Sequence, residues 1–323
     1  SSQFFMSVVG CTVYVSEAFN TALLQKITQG ICAIPGVRLC SNFVDKAYGR
    51  SSFVLTAQPF PEVSQLVPKV RYFNLIKAAL YATSTAMQHI DMAQHEASHP
   101  RIGVVDHICV CPLGDAKMAE AVAVARYLAN SIGNQLHTPA YLYGESSLEG
   151  KVTLAGLRRA LGYFQESTGG HWSAANWLQF AHTIEEGVAG EKQQTLRIRP
   201  DFGPSVANQS RGVCCVGAVQ YVTNYNIPLC SSYSSSVLKS AREVTRAIRE
   251  RNGGLPAVEA MALKHNDSIE IACNLLDTSV TPVSKVEQLV KELLAKRGLT
   301  AEPGYVIGCL PEDLLKMTLG DDK

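Results

Sequence analysis

The chain has 323 residues, 46% hydrophobic and 18% charged, and its 29 Lys plus Arg against 28 Asp plus Glu give a net charge of +1. That is apolar material for a large core in one large or two smaller domains, and it excludes intrinsic disorder. Near-neutrality argues against a general nucleic-acid binder, and no apolar run approaches the ~18 residues of a membrane span. In chain order, residues 7–15 read as a strand and 17–34 as a helix with Phe19, Leu23, Ile27 and Ile31 facing inward. Residues 37–43 and 51–57 read as a strand pair, 62–90 as a long helical region and 103–111 as an apolar strand. A helix carrying Met118, Ala121, Val122, Ala125, Leu128 and Ile132 follows, then a strand over 140–143. Residues 165–199 hold no persistent period and read as an irregular connector with some helix near 172–180.

The second half is cleaner. A β-prone run at 221–229 precedes a helix with Val237, Leu238, Ala241, Val244 and Ile248 on one face, stopped by Gly253-Gly254. Runs at 256–264 and 268–276 meet at Asn266-Asp267, a hairpin signal. Pro282 opens a helix with the stripe Val283, Val286, Leu289, Val290, Leu293 and Leu294; a strand at 304–310 and a short helix from Pro311 close the chain. The order is β-α-β-β-α-β, and the first half repeats it less cleanly. The expected fold class is therefore α/β (α+β), with two ferredoxin-like βαββαβ subdomains, 1–219 and 220–323, enclosing a cleft lined by loops of the first half.

Ten cysteines are scattered, most of them in apolar runs such as Ile108-Cys109-Val110-Cys111, with no Cys-x-x-Cys spacing. They read as reduced, buried thiols of a protein in a reducing compartment, the cytoplasm with an organelle as the alternative, and the opening residues do not read as a signal peptide.

The chemistry concentrates between Asp91 and His107, where His95, His99 and His107 share a polar segment that feeds a buried strand. Imidazole takes and gives protons near neutrality, and loops on a rigid scaffold carry catalytic groups. Pro100 restricts His99 to extended backbone, Arg101 offers a planar cation for a carboxylate, and Asp106 or Glu96 is placed to orient an imidazole. A metal site is the competing reading, but the four- and eight-residue spacing aligns ligands only on a helix, which Pro100 and Gly103 break. Structural histidines are the other alternative.

These residues also carry a resemblance. Ile90-Asp91-Met92, then His99-Pro100-Arg101-Ile102-Gly103, resembles the motif of the formiminotransferase domain of formiminotransferase-cyclodeaminase. Pro139 to Glu145, Pro200-Asp201-Phe202-Gly203-Pro204-Ser205 and Tyr225-Asn226-Ile227-Pro228-Leu229 continue it over most of the chain. The run Val104-Val105-Asp106-His107 is more similar to single-domain plant relatives than to the animal enzyme. The resemblance implies transfer of a formimino group from N-formimino-L-glutamate to N5 of tetrahydrofolate, with no metal. It implies His99 as acid/base and a folate-contacting loop at Gly203, Pro204, Ser205, Val206, Ala207, Asn208, Gln209, Ser210, Arg211 and Gly212. It also implies a homodimer with folate and an acidic small molecule as partners, acting in histidine catabolism and one-carbon metabolism, without nucleic acid or membrane.

The residues fit this chemistry in their own right. The attacking amine loses a proton and the departing glutamate nitrogen gains one, which one imidazole can do in turn. Glutamyl carboxylates call for cations, for which Arg101, Arg50 and Arg211 are the candidates, and Arg101 stands where a core position is not expected. Departures fall in three places, one of them the middle of the folate loop, Val206 to Arg211. The family's Val-Pro-Asn-Phe-Ser-Glu-Gly loop appears as Thr12 to Ala18 with only Ser16 and Glu17 kept, and its Asp-x-Asp-x-Gly-Pro-Ser-Thr-Asn-Arg run appears as Asn42 to Arg50 with Arg50 aligned. The alternatives are a non-catalytic or altered-specificity folate-binding relative, and a structural homodimer.

Overall fold

The computed structural model describes residues 6–60, 71–97, 99–150, 152–163, 172, 173, 177, 181–186 and 192–320. The chain forms two compact units, Ser1–Val219 with Leu314–Lys323, and Gln220–Asp313. Both mix helices with sheet, in keeping with an α+β class.

The first unit runs β1 (Ser7–Val15), α1 (Thr21–Cys32), β2 (Val37–Asp45), β3 (Arg50–Ala57), α2 (Phe73–His89), β4 (Glu96–Ala97) and β5 (Val105–Gly114). It continues with α3 (Met118–Asn134), β6 (Ala140–Gly144), α4 (Leu154–Ala160), β7 (Trp172–Ser173), β8 (His182–Glu186), β9 (Lys192–Leu196) and β10 (Cys214–Ala218). Six strands form one sheet in the order β2-β3-β1-β5-β10-β6. β1 is antiparallel to β3 and β5, whereas β10 runs parallel to β5 and β6. Alternation then divides the side chains. Val13, Phe53 and Ile108 sit in register and join Leu23 and Ile27 of α1, Leu75 of α2 and Leu128 of α3 in one core. Tyr14 and His107, paired directly across β1 and β5, fall on the other face of the sheet.

Most of the expected elements are present, and the differences have local causes. Helix α1 starts at Thr21 rather than at 17, because the Asn20 side chain accepts from Leu23 N at 3.0 Å and caps it. One Glu17 carboxylate oxygen takes the amides of Ala18, Phe19 and Asn20 at 2.8, 2.7 and 3.1 Å, holding 17–20 outside the helix. Phe19, expected to face in, is 66% exposed. In the region read as a connector, β8 and β9 pair antiparallel and Trp172–Ser173 pairs with β4, while Trp177, within the stretch expected to hold some helix, is helical. Strand β10 gave no periodic signal because all five of its residues are buried. The stretch 61–70 of the long helical region, and much of 165–191, lie outside the described residues.

The second unit runs β11 (Thr223–Ser232), α5 (Ser235–Ile248), β12 (Val258–His265), β13 (Ser268–Leu275), α6 (Val283–Ala295) and β14 (Tyr305–Ile307). Its four strands are antiparallel in the order β12-β13-β11-β14. Ile227, Val244, Ile248, Ile271, Val286 and Val290 fill its core. The last helix, α7 (Pro311–Leu319), groups with the first unit from Leu314 onward, where the sequence reading had kept it with the second. There Leu314 is buried and the Thr318 hydroxyl lies 2.6 Å from that of Thr56. No helix among the described residues is long and apolar enough to cross a membrane.

Candidate active site

The site forms where β1 ends and β3 and β5 begin. The peptide from Ile102 to Val104 passes beside the one from Arg211 to Val213: Val104 N donates to Arg211 O at 2.9 Å and Val213 N to Ile102 O at 2.8 Å. The approach demands glycine on both sides. A Cβ on Gly103 would sit 2.1 Å from Val213 O, and one on Gly212, whose φ is +70°, 2.2 Å from Ile102 O. Met92 N donates to Ser210 O at 2.9 Å, so the end of the 203–212 loop lies directly against the His99 segment. Ser16 ties β1 to the same turn through its hydroxyl to Gly103 O at 2.7 Å.

Asp106, almost wholly buried, is the hub. One carboxylate oxygen accepts from Ile102 N at 3.0 Å, which closes the turn. The other bonds Arg158 Nη2, lies 3.2 Å from His107 Nδ1 and 3.5 Å from Arg50 Nη2. Burial alone would raise its pKa, but Arg158, the His107 contact and Arg50 together hold it well below the usual carboxylate range.

His99 is 9% exposed. Its Nδ1 lies 2.7 Å from Pro100 O, and because a carbonyl only accepts, the proton belongs on Nδ1. Nε2 is then the basic nitrogen, and Arg50 Nη1 stands 3.1 Å from it. Tyr48 and Tyr163 meet the ring edge-on, at centroid distances of 5.1 and 6.2 Å. Burial, then the positive charges of Arg50 and Arg101, push the imidazole well below its ordinary 6.5, so it is neutral at pH 7. His107 stacks on Tyr14 at 4.0 Å, and burial followed by Arg158 lowers it to about 3. His95 is lowered to about 3 by burial and Arg101, and its Nε2 makes no hydrogen bond among the described residues.

The expected cations divide. Arg50 faces His99. Arg101, expected outside the core, is 1% exposed and is corrected to a core position. Its guanidinium donates to Gly49 O at 2.8 Å, to Tyr48 O, and at 3.4 Å to His99 O. Before a buried strand, only a long cation reaches back to these carbonyls. Arg211 Nη1 donates to Leu136 O at 2.7 Å. In the expected folate loop, Gly203 and Gly212 have φ of +88° and +70°; Asn208 Oδ1 accepts from Ser210 N at 2.8 Å and Ala207 is buried. Pro204, Ser205, Val206, Asn208 and Gln209 are exposed. Tyr14, Arg158 and Tyr163 went unnamed as site residues in the sequence reading. Arg158 lies 52 positions from Asp106 on a seven-residue helix, and no local pattern sets it apart from Arg159 beside it.

Residues 8–219 match the model of the formiminotransferase domain, N-terminal subdomain. The chain belongs to the formiminotransferase family. It is thereby a member of a family of transferases. It is 35% identical over 307 residues to a formiminotransferase cyclodeaminase-like protein of Arabidopsis thaliana, covering 95% of this chain and 94% of that one. It is 27% identical to a glutamate formimidoyltransferase of Thermoplasma acidophilum, covering 96% of this chain and 90% of that one. Against the formimidoyltransferase-cyclodeaminase of Rattus norvegicus, 26% identical, it covers 94% of its own length and half of the relative's. Among the described residues, no three His, Cys, Asp or Glu side chains are placed to hold a metal ion.

Two outcomes follow for stability. Arg101→Ala strands buried carbonyls and opens a cavity, and should cost about 2–4 kcal/mol in denaturant unfolding, a larger effect than on any ligand contact; an unchanged midpoint contradicts this. For pH, His107 is neutral in the folded state down to about 3, whereas the unfolded chain takes up its proton near 6.5. The unfolded state therefore binds more protons across that window, and stability falls as pH drops through it, by at most ~1.4 kcal/mol per pH unit for one group. His107→Gln should flatten the fall of melting temperature between pH 6.5 and 4, and an unaltered slope refutes the burial of a neutral imidazole.

Proposed function

We propose that this chain transfers a formimino group from N-formimino-L-glutamate to N5 of tetrahydrofolate, with His99 as acid and base. The observation that carries the reading is a neutral, buried imidazole with its basic Nε2 beside Arg50. N5 attacks the amidine carbon and gives its proton to His99 Nε2. The same proton passes to the glutamate nitrogen as the carbon–nitrogen bond breaks, leaving glutamate and N5-formimino-tetrahydrofolate. A donor carboxylate that draws Arg50 toward itself both frees Nε2 and cancels a charge that opposes protonation of the ring. Residues Gly203 to Gly212 are the proposed folate loop, supported by its contact with the Met92 and Gly103 peptides. Residues 1–219 act as the N-terminal and 220–323 as the C-terminal formiminotransferase subdomain of a homodimer in the cytoplasm, with the stretch from Leu314 grouped with the first unit. A donor other than formiminoglutamate is the second reading. It is favoured by the Tyr14–His107 stack, which puts two residues unlike the family motif in contact beside the site.

Turnover of formiminoglutamate with tetrahydrofolate tests this. His99→Ala should lower the rate about 10²–10⁴-fold with folding intact. In the wild type, the acidic limb of kcat/KM should lie well below pH 6.5, since the free imidazole stays neutral there. Full activity in His99→Ala, or a limb near 6.5, removes His99 from the role.

A further inference from the structure

Among the described residues, the buried cluster is richer in positive than in negative charge. Arg50, Arg101 and Arg158 surround Asp106, and His95, His99 and His107 are neutral at pH 7. Glu17, occupied by the amides of Ala18, Phe19 and Asn20 ahead of α1, adds one more distant carboxylate. Positive charge held away from water is stabilised by an anion of matching shape.

The guanidinium groups differ in what they have left to offer. Those of Arg101 and Arg211 are turned onto backbone carbonyls. Those of Arg50 and Arg158 converge on one Asp106 oxygen; Arg158 keeps a buried Nε that makes no hydrogen bond among the described residues, and Arg50 Nη2, 3.5 Å from that oxygen, makes only the ion pair and no hydrogen bond. A buried N–H without an acceptor costs free energy that a ligand oxygen recovers. Both side chains are also held in place. Arg158 lies over the Tyr163 ring at 4.5 Å and Arg50 over Tyr14 at 5.3 Å, with His107 stacked on the same tyrosine. His99 is in direct reach of Arg50.

We propose that Arg158, together with Arg50, is the carboxylate-binding subsite for the donor, taking one carboxylate of a short dicarboxylate and setting its far end toward His99. This rests on the proposed transfer for the identity of the donor, but not for the binding itself. Arg158 is a binding residue, and Asp106 positions it.

Glutarate is the probe, since it presents both carboxylates and lacks any group to transfer. Calorimetric titration of the full chain should show glutarate binding that sodium chloride at matched ionic strength does not reproduce. Arg158→Gln should weaken binding about 10- to 100-fold, the loss of one charge-assisted contact. Arg158→Lys keeps a charge against Asp106 but lacks Nε and the planar fork, and it should weaken glutarate at least tenfold while its melting temperature stays near wild type. The lysine variant decides if the glutamine variant does not fold. Glutarate affinity unchanged in Arg158→Lys, or no binding to the wild type, overturns the inference. Arg158-dependent glutarate binding without turnover would leave this subsite standing and sink the transfer reaction alone.

Discussion

Everything at the site depends on one buried negative charge. A carboxylate as buried as Asp106 is tolerable only when paired and hydrogen-bonded, and here Arg158, Arg50, His107 and Ile102 N share it. Each partner comes from a different element. Arg158 is on α4, Arg50 opens β3, His107 lies near the start of β5 beside Tyr14 of β1, and Ile102 belongs to the turn that follows His99. A single charge thus fixes the mouth of the sheet, and with it the distance between Arg50 and the His99 ring.

The charge balance also sets the chemistry. Burial, with Arg50 and Arg101 near, keeps His99 neutral and able to accept a proton, and in the proposed reaction an arriving carboxylate makes acceptance easier by drawing off Arg50. In the proposed reaction, ligand binding and the basicity of the imidazole are coupled in this way. Two glycines, Gly103 and Gly212, make the compact arrangement possible by letting two peptides pass closer than any side chain allows.

Much of this was legible in the sequence. Periodicity exposed the strands and helices with one buried face, such as α3 and α6, because amphipathic spacing is written locally. The His99-Pro100-Arg101 segment and Arg50 were also legible, as types of residue in a pattern. What stayed hidden was pairing across the chain. Strand β10 is buried on both faces and too short to show a period, and Arg158 becomes important only once α4 brings it to Asp106. Arg101 was misjudged for the same reason: a cation before a buried strand looks ready for a ligand until the carbonyls of Tyr48 and Gly49 are seen to fold around it.

Asp106→Asn isolates the central claim, since it keeps the shape and the acceptor for Ile102 N while removing the charge. Its unfolding free energy in urea should fall by about 3–5 kcal/mol, the cost of leaving buried guanidinium groups without their counter-ion. A variant as stable as the wild type, within about 0.5 kcal/mol, would contradict the account, because such a change is the ordinary result for a surface substitution.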